Sequence, residues 1–253
     1  INRKIKNFNK KIKISGDKSL SIRWVLFASL ANGISKSKDL LMSEDVLAAI
    51  AAVKKLGIKV KLDKDKCKIY GKGLNGYNYR KNLTINAKNS GTLSRLILGL
   101  LVNTTNPIKL IGDKSLSKRD FKRISDPLSM FGANFKLNNE KNLPLKIFGS
   151  QNLKPIKYIE TRGSAQCKSS VIFAGMRTEG TTYIKAKKSR NHTELLCDYL
   201  KLPVKTQNKK KYDIIKIKKI NKINPINYNI PSDLSSSSFF IVLTALAKNS
   251  KLM

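Results

Sequence analysis

The chain has 253 residues and carries 51 Lys and Arg against 16 Asp and Glu, a formal net charge of +35. At 41% hydrophobic and 26% charged it is long and apolar enough to bury a sizeable core, which excludes a disordered or low-complexity chain. No apolar run approaches the roughly 18 residues of a membrane span, and Cys67, Cys167, Cys197 and His192 lie at no spacing used by zinc sites or disulfide frameworks. The basic N-terminus, INRKIKNFNKKIKI, lacks the apolar stretch of a signal peptide. A soluble, cytoplasmic protein is the expectation.

In chain order, Lys11-Ile12-Lys13-Ile14 alternates with period two and reads as a strand with lysines on its solvated side. SLSIRWVLFASLA, from Ser19, is apolar around most of a helical circumference and predicts a helix buried on nearly all sides. An amphipathic helix over Asp45–Leu56 ends at Gly57, and IKVKL follows as a lysine-studded strand. The pattern returns with TLSRLILGLLV from Thr92, a helix over Phe121–Phe131 ending at Gly132, and the strand ANFKL. It returns again with AQCKSSVIFAG from Ala165, a helix over Thr193–Leu200, and Ile215-Lys216-Ile217-Lys218. SFFIVLTALA, from Ser238, opens a fourth round.

Ser19, Thr92, Ala165 and Ser238 are each 73 residues apart. The spacing predicts an α/β repeat architecture with three complete units and the first helix of a fourth. Ile1 is not an initiator methionine, and the last apolar helix ends close to Met253 with nothing left to pack against. A fragment of a longer protein, truncated at both ends, is therefore expected.

A pI of 10.2 invites a nucleic-acid reading. The cations are nine arginines and 42 lysines, many of the lysines on alternating strands, in a chain rich in Lys, Asn and Ile, whose codons are AT-rich. Nucleic-acid binding would need a contiguous cationic stripe with stacking aromatics, and aromatics make up 7% of the chain. No nucleic-acid or membrane partner is expected.

Polar residues with chemistry gather where the buried helices begin. Gly16-Asp17-Lys18-Ser19-Leu20-Ser21-Ile22-Arg23 sets a lysine at a helix start and an arginine one turn in; Asn89-Ser90-Gly91-Thr92-Leu93-Ser94-Arg95 and Gly163-Ser164-Ala165-Gln166-Cys167-Lys168-Ser169 repeat the idea. Free N–H groups and the helix dipole suit anions there, and small residues admit a ligand to the backbone. Ser, Thr, Asn and Gly are also ordinary N-caps, but a cation or Gln just inside a buried helix is expensive unless it has a partner. GDKS lacks the upstream glycines of a phosphate-binding P-loop. Arg119, in Gly112-Asp113-Lys114-Ser115-Leu116-Ser117-Lys118-Arg119, can grip a carboxylate or phosphate bidentately. His192, in Ser189-Arg190-Asn191-His192-Thr193-Glu194, reads as a capping or packing residue, and Cys167 as a small buried one.

GDKSLSIR, NSGTLSR, GDKSLSKR, GSAQCKSS, SRNHTE and IPSDLSSSSFF stand in the order and spacing of the enolpyruvyl transferases. From about Ile12 to Leu246 the chain resembles that family, and within it the branch acting on shikimate 3-phosphate. The branch acting on UDP-N-acetylglucosamine shares the fold but generally lacks the SLSKR, GSAQxKS and SRxHTE set, and ranks second; a basic nucleic-acid-binding protein is the rival from another class.

The resemblance implies a two-domain inside-out α/β barrel with three repeats per domain. Residues 17–228 would form one complete domain, and 1–16 and 229–253 parts of the other. It implies a transferase that moves the carboxyvinyl group of phosphoenolpyruvate onto the 5-hydroxyl of shikimate 3-phosphate and releases phosphate, on the way to aromatic amino acids. It implies no metal or organic cofactor, these two small-molecule substrates as partners, and a monomer at full length.

By the same resemblance Lys18 would touch both substrates, while Ser19 and Arg23 hold shikimate 3-phosphate. Gly91 would admit phosphoenolpyruvate, with Arg119 clamping it. Ser164 and Ala165 would meet shikimate 3-phosphate, Gln166 both ligands, and Arg190 the 3-phosphate. The acid/base residues would lie beyond Met253, so no turnover is expected from this chain alone. Ile22, Ser90, Asp120, Asn191 and Ser232 depart from the family's usual residues. Asp120, beside Arg119, is placed to pair with it and weaken the clamp.

Overall fold

The computed structural model describes residues 7–253. A short strand β1 (Asn9–Lys10) precedes the first unit: α1 (Lys18–Leu30), β2 (Asn32–Lys38), α2 (Glu44–Lys55), β3 (Lys59–Asp63) and β4 (Lys66–Lys72). The second unit is β5 (Thr84–Asn86), α3 (Gly91–Leu100), β6 (Ile108–Ile111), the single turn α4 (Lys114–Ser117), α5 (Lys122–Ser129), β7 (Asn134–Asn138) and β8 (Asn142–Phe148). The third is β9 (Lys157–Glu160), α6 (Ala165–Gly175), β10 (Thr181–Lys187), α7 (His192–Tyr199), β11 (Val204–Asn208) and β12 (Tyr212–Lys218). The chain closes with β13 (Asn227–Asn229), α8 (Leu234–Leu246) and β14 (Lys251–Leu252).

The three sheets are built alike. In the second unit β5 runs parallel to β6, across the helix between them, and β8 then β7 add antiparallel. The third repeats this with β9, β10, β12 and β11. The first differs in one respect: its parallel edge strand is β13, which follows the third unit in sequence and pairs with β2. β1, where the repeat would supply that edge, pairs instead with β14. The two exchanging segments run side by side, Gly16 bridging Ser232 while Asp17 N–H donates to the Pro231 carbonyl and Asp233 N–H to that of Ser15. Residues 11–14 join no ladder, correcting the strand expected there; Ile12 N–H donates to the Met253 carbonyl, and the isoleucines are half-buried while the lysines are exposed.

The three inner helices and α8 each begin with a side-chain cap: Asp17 for α1, Ser90 for α3, Ser164 for α6 and Asp233 for α8, every one accepting from an N–H of the first turn. α1, α3 and α6 lie parallel inside one continuous apolar core. Arg23 meets Ser169 and Phe27 meets Phe173 further along, while Thr92 meets Gln166 and Gly99 lies against Ser170 and Phe173. Gly99 makes that crossing possible, since a β-carbon there would sit 2.1 Å from the Ser170 carbonyl oxygen. The starts of all three helices therefore gather at one pole.

At the opposite pole Arg177, just past α6, donates to the Leu74 carbonyl and to the side-chain oxygens of Asn75 and Asn103. It thereby ties the loops of all three units together. A cavity of about 940 Å³ lies at this pole.

α8 is the apolar helix expected to have nothing left to pack against. None of its residues is buried, and Phe239 and Leu246 are 78% and 80% exposed. Its apolar circumference is real, but among the described residues nothing covers it.

Candidate functional site

The site forms where the gathered helix starts meet two outer loops. On α1, Arg23 is 2% exposed. Of its five N–H groups, four are directed at Thr193 Oγ1 (2.6 Å), the Ser19 carbonyl (3.1 Å), Ser19 Oγ (2.5 Å) and Ser169 Oγ (3.0 Å). Ser169 and Thr193 also share a hydrogen bond of 2.7 Å. Burial pushes the Arg23 pKa down to about 10, with Glu194 and Asp17 opposing it, so the guanidinium stays cationic near neutrality. Lys18 is turned outward, its Nζ 2.9 Å from Asp45 Oδ2.

On α3 and α6, Arg95 Nη1 donates to Gln166 Oε1, and Gln166 Nε2 donates to Thr92 Oγ1 at 3.0 Å. Burial, then repulsion from Arg123, lowers the Arg95 pKa to about 10. Arg119 lies over Gly91: a β-carbon at Gly91 would be 2.8 Å from Arg119 Nη1. Arg119 is exposed, and among the described residues its guanidinium has no hydrogen bond or ion pair. The expected pairing with Asp120 is corrected. Asp120 accepts from Lys122 N–H (2.8 Å) and faces Arg162 (3.5 Å), because the short turn after Arg119 directs the carboxylate back along its own backbone.

The structure thus brings Ser19, Arg23, Gly91, Arg119, Ser164, Ala165 and Gln166 to one pole. Lys18 stands at its edge, and Arg190 reaches outward to Ser235 Oγ at the start of α8 (3.2 Å). Among the described residues no cluster of three or more metal-ligating side chains occurs. Cys167 is buried and its thiol pushed up, chiefly by desolvation, which leaves it inert as a nucleophile. What the arrangement offers is anion binding: helix N-termini and guanidinium groups on one face.

Sequence reasoning missed Glu160. Buried before α6, its carboxylate accepts from Arg162 N–H (3.1 Å), Gly163 N–H (2.7 Å) and Ser164 N–H (3.0 Å), shaping the loop that presents Ser164 and Ala165. An acid followed three residues later by glycine at a helix start was the available signal. Glu160→Ala leaves these donors unpaired, and a loss of about 3 kcal/mol is expected from charge-assisted bonds of this kind, read by denaturant unfolding. Ser169, Thr193 and Arg95 stand in the motifs above without an assigned role; the contacts that bring the first two to Arg23 span 146 and 170 residues and leave no local pattern.

His192 begins α7, with Nδ1 3.9 Å from Asp17 Oδ1. Burial lowers its pKa from 6.5; Asp17 and Glu194 oppose the shift, Arg23 and Arg190 reinforce it. The unfolded chain therefore takes up the proton first, so this contribution to stability is full above pH 6.5 and is lost as pH falls through the native value. His192→Gln is expected to flatten the thermal midpoint against pH in that window.

A pole of this kind in an α/β repeat domain is suited to anions. The chain belongs to the EPSP synthase (3-phosphoshikimate 1-carboxyvinyltransferase) family, whose model matches residues 2–252. It is 38% identical over 250 residues to the 3-phosphoshikimate 1-carboxyvinyltransferase of Caldicellulosiruptor bescii, covering 98% of this chain and 57% of that protein. It is 41% identical over 238 residues to that of Vesicomyosocius okutanii, covering 93% and 53%. EPSP synthase from Acinetobacter baumannii has the same fold, with a TM-score of 0.88 at 32% identity over 98% of this chain and 56% of that one. The chain spans a little over half the length of the curated relatives it matches.

Proposed function

We propose that this chain carries the shikimate 3-phosphate site, and part of the phosphoenolpyruvate site, of an enzyme that transfers a carboxyvinyl group to the 5-hydroxyl of shikimate 3-phosphate and releases phosphate. The observation that carries the reading is the single pole where three helix starts meet Arg23, Arg95 and an unpaired Arg119. Each substrate bears a phosphate and a carboxylate, and a preorganised cationic pole holds such groups without rearranging.

In this reading Ser19, Ser164, Ala165 and Arg190 meet shikimate 3-phosphate. Arg23 acts chiefly by holding Ser19, with one N–H left for the ligand. Lys18 leaves Asp45 to reach both substrates, and Gln166 lies between them. Arg119 clamps phosphoenolpyruvate over Gly91. Proton transfer to the methylene carbon and from the hydroxyl falls to groups outside this chain, and no metal or organic cofactor is called for. Residues 17–228 are one domain and 1–16 with 229–253 part of a second, a division supported by the exchange of β1 and β13. The cytoplasm is the proposed location, in keeping with three unpaired thiols, and the full-length form is a monomer.

Calorimetric titration of the chain with shikimate 3-phosphate at about 150 mM salt, where loose counterion binding is suppressed, tests the reading. Saturable binding, at least tenfold weaker for Lys18→Ala/Ser19→Ala and for unphosphorylated shikimate, is expected; equal binding across these arms would overturn it. Gly91→Ala sets a methyl 2.8 Å from Arg119 Nη1. It is expected to weaken phosphoenolpyruvate binding severalfold, measured with shikimate 3-phosphate present, while the thermal midpoint stays put.

A further inference from the structure

We propose that Lys168 and Glu194 form a buried strut that positions Arg23, and through it Ser19, and so sets the affinity of the anion site without touching the ligand. The inference rests on the reading above only where shikimate 3-phosphate is the probe.

Lys168, on the first turns of α6, places Nζ 2.6 Å from Glu194 Oε1 on α7, and the two side chains are 0% and 6% exposed. Removing two charges from water costs several kcal/mol per ion, and well-packed apolar residues commonly replace such a pair without loss. Neither the ammonium nor either carboxylate oxygen makes a further hydrogen bond among the described residues. Stability is therefore a poor account of the pair, and its neighbours supply a better one.

Each member adjoins a residue that holds Arg23. Ser169 follows Lys168 and accepts from Arg23 Nη2; Thr193 precedes Glu194 and accepts from Arg23 Nε. Consecutive helical residues point about 100° apart. On α6 the strut and the Arg23 contact thus leave the helix in two directions, and on α7 likewise. Two contacts at that angle fix the rotation of each helix about its axis, which a single contact leaves free.

Charge works the same way. Arg23 and Lys168 are two buried cations sharing Glu194 as their buried counter-ion, and Glu194 is the foremost group sustaining the Arg23 charge against burial. Asp17 is the second carboxylate sustaining the guanidinium, so Glu194 divides its charge between Lys168 and Arg23. Because Ser19 Oγ accepts from Arg23 Nη1, its own hydroxyl hydrogen points away from the arginine and is free for an incoming anion. Arg23 turned from its place would release both orientations together.

The test compares the wild-type chain with Lys168→Met/Glu194→Met and Glu194→Asp. Three quantities are read: the thermal midpoint, water exchange of the Arg23 Nε–H by nitrogen-15 NMR, and shikimate 3-phosphate affinity. The double variant is expected to keep its midpoint within a few degrees, yet exchange the Arg23 Nε–H at least tenfold faster and bind at least tenfold more weakly. A purely structural pair would give wild-type exchange and affinity once the fold is restored, and that result overturns the proposal. Should the double variant fail to fold, Glu194→Asp keeps the charge and retracts the carboxylate by one methylene; about threefold faster exchange is then expected, and unchanged exchange overturns the strut. If the wild-type chain does not bind shikimate 3-phosphate, the functional reading fails, while Arg23 exchange still decides the strut.

Discussion

Gly99→Ala is expected to destabilise the chain by about 2 kcal/mol, although the same change in a solvent-facing helix would stabilise it by about 1 kcal/mol. The added carbon would stand 2.1 Å from the Ser170 carbonyl oxygen and 3.1 Å from Phe173 Cβ. Both neighbours belong to α6, and backbone cannot step aside as a flexible side chain would. Relieving the clash moves α3 off α6, at the roughly 3 kcal/mol typical of severe overpacking, and that outweighs the propensity gain. The same movement parts Arg95 from Gln166 at the helix starts, so anion affinity falls as well. Denaturant unfolding with an unchanged m-value, together with a shikimate 3-phosphate titration, reads both effects; a variant as stable as the wild type would show that the helices approach less closely than described.

Arg23→Met is expected to have the larger effect, about 4 kcal/mol, the range measured when one partner of a buried charge network is removed. Methionine fills much of the volume but strands Ser169, Thr193 and the Ser19 hydroxyl without their shared donor. Shikimate 3-phosphate binding should be lost even where the variant remains folded, at low temperature or in stabilising salt. Retained binding there would place the anion site elsewhere.

How far the sequence discloses all this depends on the range of each interaction. The three inner helices were legible because an all-round apolar stretch behind a capping residue is a local pattern, and the 73-residue spacing made them equivalent. The outer helices matched the expected stretches to within one or two residues, with Gly57 and Gly132 at positive φ where they end. The arginine at Gly91 was legible as a residue type, but not its release from Asp120, which turned on a loop conformation. The Arg23 network was not legible, since its partners lie on another unit. Lys11–Ile14 shows the same limit: alternation specifies which side faces water, and says nothing about whether a strand is there to pair with.

The exchange of β1 and β13 has a consequence for how the molecule comes to be folded. The second and third units complete their sheets with strands lying within each repeat, but the edge of the first sheet is closed by Asn227–Asn229, with Ile226 N–H bonded to Ser35 across 191 residues. Such a contact carries a large loop-closure entropy and slows the search for it. On a ribosome, where domains take shape as the chain emerges, the first of the three units must wait with an open edge until the other two have been made and Asn227–Asn229 have appeared. The order of synthesis and the order of completion are therefore reversed for it, and its exposed edge at β2 is where a newly made chain is most open to pairing with another copy.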